Sequence, residues 1–136
     1  MNIVIVAPKN GRFEKDKENI KAKHEARGDK CFFIFRAQGD TRNIMVDIRS
    51  YEPDLLITED LEGFEMCTLT DAVSYNLIHC RQYHYIYSEH PANEKYLAKQ
   101  LSLVMTFICP DEEMASRFRT RYPDLPEVVP GTILLW

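Results

Sequence analysis

The chain has 136 residues, 28% of them charged and 45% hydrophobic, with 17 Lys and Arg against 21 Asp and Glu for a net charge of −4. That length suits one domain, able to bury roughly 68% of its unfolded surface around a single core, and the ordinary composition excludes a disordered or fibrous chain. The acidic balance argues against nucleic-acid binding, which needs a basic face to neutralise phosphates, and no run approaches the roughly 18 apolar residues of a membrane span.

The opening Met1-Asn2-Ile3-Val4-Ile5-Val6 has no basic region ahead of its short apolar run, so it predicts a first strand over Ile3–Val6 and no signal peptide. Pro8 to Gly11 makes a turn. A charged helix follows over Phe13–Arg27, with Phe13, Ile20 and His24 on one stripe and Gly28 placed to end it. The second strand, Cys31–Phe35, leads to a helix capped by Asp40 or Thr41, carrying Ile44, Ile48 and Tyr51 on one face and stopped by Pro53.

Strand three, Leu55–Thr58, opens into the acidic loop 59–65. Residues 67–77 leave strand and helix both open, since Thr, Val and Tyr favour the one and the crossover length favours the other. Strand four, through Tyr83–Tyr87, turns at Pro91, and a helix capped by Asn93 carries Tyr96, Leu97 and Leu101 into strand five, Val104–Cys109. The last helix is capped by Asp111, carries Met114, Ala115, Phe118 and Tyr122, and stops at Pro123. A weak sixth strand, Glu127–Pro130, precedes the apolar ending Ile133-Leu134-Leu135-Trp136.

Strands that alternate with helical patterns need crossovers, so the fold class is α/β: a doubly wound, Rossmann-like parallel sheet of five to six strands with helices on both faces. The expected order is 3-2-1-4-5. Ligands of such sheets bind beyond the carboxyl ends of the strands where the order reverses, here between strands one and four. Cys31, Cys67, Cys80 and Cys109 are widely spaced in or near apolar runs and read as buried reduced thiols of a cytoplasmic protein.

The strand-end loops supply the candidate ligand residues. After strand one, Lys9, Asn10, Gly11 and Arg12 can receive an anion at a helix start, or form a solvated turn with Gly11 at positive φ. With no second glycine, the loop is neither the dinucleotide fingerprint nor a P-loop. After strand two, Arg36, Gly39 and Arg42 can clamp a carboxylate or phosphate, although Arg42 can equally pair with Asp40 or Glu59. In the acidic loop, Glu59 and Asp60 are candidates for acid–base chemistry, while Leu61, Gly63 and Phe64 interrupt any metal-ligand spacing. His79, His84 and His90 with Cys67 and Cys80 lack a zinc spacing; His90, beside Pro91 at the expected crevice, is the candidate base or ligand donor. No metal and no cofactor is expected.

From strand three onward the chain resembles the amino-terminal Rossmann-like domain of GT-B glycosyltransferases, particularly bacterial ones related to spore maturation. The similarity is carried by Pro53-Asp54-Leu55-Leu56-Ile57, by Met105-Thr106-Phe107-Ile108-Cys109, by the helix over 111–121 and by Val128-Val129-Pro130-Gly131, where those enzymes cross to their second domain. The Asn that commonly stands between that Pro and Gly is absent, and five residues remain after Gly131. The expectation is therefore not a complete glycosyltransferase but a stand-alone or excised acceptor-side domain, a non-catalytic relative, or an unrelated protein of the same architecture. Two readings follow: a non-catalytic module binding a small anionic or sugar ligand or a protein partner, or a small enzyme using His90, Glu59 and Asp60. The apolar cluster Ile133, Leu134, Leu135 and Trp136 is expected either to fold back onto the sheet or to form a homodimer, with the dimer preferred.

Overall fold

A computed structural model describes residues 1–37, 44–59, 81–85, 106–123 and 127–131. The described strands are β1 (Asn2–Pro8), β2 (Lys30–Arg36), β3 (Leu55–Glu59), β4 (Arg81–Tyr85), β5 (Thr106–Cys109) and β6 (Val128–Pro130), all paired in parallel in one sheet of order β2-β1-β3-β4-β5-β6. The helices are α1 (Arg12–Lys15), α2 (Lys17–Glu25), α3 (Met45–Ser50) and α4 (Glu112–Arg121).

The α/β class and the parallel sheet agree with the alternation read from the sequence, but the expected order 3-2-1-4-5 is wrong. β3 lies beside β1 and β2 takes the edge, so the order reverses between β1 and β3 and not between strands one and four. Burial explains the choice. Every residue of β3 is buried, whereas Phe32, Phe33, Ile34 and Phe35 of β2 are only partly so and Lys30 is exposed. An edge position for β3 would leave the Leu55–Ile57 run in water.

β1 divides the interior by side-chain alternation. Ile3, Ile5 and Ala7 pack with Phe13 and Ile20 of α1 and α2 and with Leu55 and Ile57 on one face. Val4 and Val6 pack with Leu56 and with Ile44 and Ile48 at α3 on the other. Helices thus cover both faces, and Tyr51 extends the second cluster by stacking on Phe32 with ring centroids 4.2 Å apart.

Several local expectations change. The helix expected over Phe13–Arg27 is broken at Asp16, which caps α1 and starts α2, although Phe13, Ile20 and His24 are buried along one stripe as expected. Gly28, at φ 87°, ends α2, with its N–H bonded to Glu25 O and that of Asp29 to His24 O. The second helix is not capped by Asp40 or Thr41. Its N-cap is Ile44, without a side-chain hydrogen bond, because the buried Ile44 and Ile48 anchor the segment through packing. Strand four is described over Arg81–Tyr85, so residues 86 and 87 of the expected strand lie outside the described residues, and strand three runs one residue further than expected, to Glu59. Cys31 and Cys109 are buried free thiols, and burial raises the Cys31 pKa to about 11. Cys67, Cys80, the ambiguous 67–77 stretch, the helix expected after Asn93 and the tail 132–136 lie outside the described residues. No helix among the described residues is long and apolar enough to cross a membrane.

α4 matches its sequence signals. Asp111 Oδ1 accepts from Met114 N at 2.8 Å, and Met114, Ala115 and Phe118 are buried. Arg119 Nε and Nη2 donate to Val128 O at 3.0 and 2.7 Å, tying the helix to β6. Replacing Asp111 with Ala strands the Met114 amide, and a loss of about 1 kcal/mol is expected in urea unfolding; an unchanged midpoint would show that the cap contributes nothing.

The buried His24 supplies a pH dependence. Burial, with the charge of Arg27, lowers its pKa despite the opposing pull of Asp29, whose Oδ2 lies 3.7 Å from His24 Nδ1. The unfolded chain therefore binds a proton more readily, so the contribution of neutral His24 to stability is full above the unfolded value of 6.5 and is lost as pH falls from there toward the folded value. Urea midpoints should fall between pH 7 and pH 5 in the native protein and fall less steeply in His24→Gln; parallel slopes would refute the assignment.

Candidate functional site

Beyond the strand ends at the β1–β3 reversal lie the loop after β1 and the last residue of β3. The chain leaves Pro8 through a tight turn in which Gly11 N donates to Pro8 O at 3.3 Å. Asn10 takes the left-handed conformation at φ 65°, while Gly11 is extended at φ −83°, ψ −177°. The expectation of positive φ at Gly11 is thus corrected: the strained backbone belongs to Asn10, a residue that tolerates it through its short polar side chain.

Gly11 is needed for a different reason. A β-carbon there would lie 3.1 Å from Pro8 O and 3.2 and 3.4 Å from the carboxylate oxygens of Glu59. Glu59 is 6% exposed, and its Oε1 accepts from Arg12 N at 3.3 Å. A second carboxylate, Glu14 Oε1, accepts from Asn10 N at 3.0 Å. Two amides at the start of α1 are therefore bonded to the chain's own carboxylates, which supply the negative charge favoured at a helix start. Lys9 and Arg12 are exposed residues of the same loop.

Arg36 is joined to this loop through its backbone, its carbonyl accepting from Lys9 N at 2.8 Å. Its side chain takes another direction. In register with Pro8, Arg36 falls by alternation on the Val4–Val6 face, whereas Glu59 follows Leu55 and Ile57 on the opposite face. Arg36 is 1% exposed and engaged within its own fold. Of the residues expected together, Arg36 is thus set apart on the other face, while Lys9, Asn10, Gly11 and Arg12 are neighbours in the loop that Glu59 meets. Gly39, Arg42, Asp60 and His90 lie outside the described residues, as does the side chain of His84, whose backbone is in register with Thr58 and Phe107. Among the described residues no group of three or more His, Cys, Asp or Glu is arranged to hold a metal ion.

Sequence reasoning placed Glu59 in the acidic loop and missed its pairing with the first loop. The available signal was Gly11 itself, a glycine at a helix start with no partner glycine, which is what a close-approaching side chain from the neighbouring strand requires.

Comparison with protein-family models, with curated proteins and with solved structures finds no match for this chain.

The Gly11–Glu59 contact predicts a coupled response. Gly11→Ala should destabilise by about 1 to 3 kcal/mol through overpacking, and Glu59→Ala by about 1 to 3 kcal/mol through loss of the acceptor for Arg12 N. Combined, the two changes should cost less than the sum of their separate effects, because removing the carboxylate vacates the space that Ala needs. Additive unfolding free energies would show that the two positions do not interact.

Proposed function

We propose that this chain is a non-catalytic, Rossmann-like binding module whose crevice at the β1–β3 reversal receives a small anionic or sugar-like ligand. The observation that carries the reading is the convergence of Lys9, Asn10, Arg12 and Glu59 at that reversal, the general location of ligand sites in open parallel sheets. Lys9 and Arg12 supply cationic donors for the charged part of the ligand. Asn10 supplies an amide side chain for hydroxyl groups.

The resemblance to the acceptor-side half of GT-B glycosyltransferases fits a role in holding a sugar-like group, with catalysis absent from this chain. Commitment of Glu59 to the Arg12 amide favours binding over the alternative of a small enzyme using Glu59, Asp60 and His90. As part of the same reading, the protein is cytoplasmic and works without cofactor.

Thermal-shift screening against nucleotides, sugar nucleotides and acidic metabolites tests the proposal. One chemical class should raise the melting temperature, with stabilisation of about 2.7 kcal/mol once the ligand reaches a hundred times its dissociation constant. Lys9→Ala with Arg12→Ala should abolish that shift while the free protein still unfolds in one cooperative transition. A shift that survives both substitutions, or no shift in any class, would exclude a ligand site at this loop.

A further inference from the structure

The two edges of the sheet differ in kind. β6 is three residues long, ends in Pro130, and has the carbonyl of Val128 capped by Arg119, all devices that blunt an edge against further pairing. β2, at the other edge, runs for seven residues with an apolar interior of Cys31, Phe32, Phe33, Ile34 and Phe35. Its backbone direction is set by two hydrogen bonds: Lys30 N donates to Met1 O, and Arg36 O accepts from Lys9 N. Even-numbered residues therefore face β1, and Cys31, Phe33 and Phe35 turn their N–H and C=O groups outward. Among the described residues these outward groups take part in no backbone hydrogen bond.

Charge indicates what completes the edge. Residues 17–36 hold six Lys and Arg against three Asp and Glu, within a chain of net charge −4. Two of those acids are engaged locally, Glu25 with Lys21 at 3.9 Å and Asp29 with the amino terminus at 3.1 Å. Lys17 Nζ lies 5.6 and 5.9 Å from the ring centroids of Phe33 and Phe35, and Lys30 is exposed at the start of the strand. A second copy pairing antiparallel about Phe33 would bring the two Phe33 rings, and with them the two Lys17 ammonium groups that lie over them, side by side, an unfavourable like-charge arrangement. An acidic strand meets no such repulsion.

We propose that the outer edge of β2 accepts an extended segment of another protein as an added strand, apolar at alternate positions beside Phe33 and Phe35 and acidic at its ends. Main-chain hydrogen bonds to Cys31, Phe33 and Phe35 give affinity, and the cations select the partner.

Fluorescence anisotropy on the full chain tests this with a labelled peptide of alternating Val and Thr ended by Glu. Saturable binding is expected, weakened about tenfold or more by Lys ends in place of Glu and abolished by backbone N-methylation along one edge of the peptide. Lys17→Glu with Lys30→Glu should reverse the preference between the two peptides. Because the first comparisons alter only the peptide, misfolding cannot imitate them. Equal binding of both peptides, indifference to N-methylation, or no binding would overturn the proposal. So would sedimentation showing a dimer that tightens in Lys17→Glu, since that substitution relieves the repulsion opposing self-pairing.

Discussion

The structure depends on β1 being covered on every side. Ile3, Val4 and Ile5 are fully buried, so β1 needs a strand on each edge and an apolar layer on each face. β2 and β3 provide the edges, in registers that set Ile3 against Cys31 on one side and Leu55 on the other. The faces cannot be covered by the same helix. The segment leaving β1 must therefore close one face through Phe13 and Ile20, and the segment leaving β2 the other through Ile44 and Ile48. Opposed crossovers are the necessary outcome, and the reversal of strand order between β1 and β3 follows from them.

At that reversal the chain uses its own carboxylates. Glu14 and Glu59 each accept a hydrogen bond from an amide at the start of α1, and the absent side chain at Gly11 lets Glu59 come close enough to do so. Such an arrangement differs from a phosphate loop, in which the same amides are left for the ligand. In this loop those two amides are bonded within the chain.

Much of the fold was legible because its signals are local. The β-branched run at Ile3–Val6, the apolar run at Leu55–Ile57, the Asp111 cap with Met114, Ala115 and Phe118, and the Gly28 terminus each follow from residues within a few positions of one another. Strand order was not legible from spacing, since order depends on which strand can bear an edge. The relevant contrast was nevertheless present: β3 is apolar throughout its first three residues, while β2 is flanked by Lys30 and Arg36. The candidate site was half legible. Lys9 to Arg12 could be placed at a strand end by pattern alone, but the meeting of Glu59 with Gly11 joins residues 48 positions apart, and the separation of Arg36 from Glu59 depends on alternation measured against β1.

The strand order also bears on how the chain assembles in time. Beyond β3, each described strand is added beside its predecessor, β4 on β3, β5 on β4 and β6 on β5, so that half of the sheet extends in the direction of synthesis. Among the described strands, only the passage from β2 to β3 crosses an existing strand. A chain emerging amino terminus first can thus settle β1, β2 and β3 into a nucleus and lengthen it by neighbouring additions. Such growth keeps sequence separations short and limits the time that an apolar edge stands open.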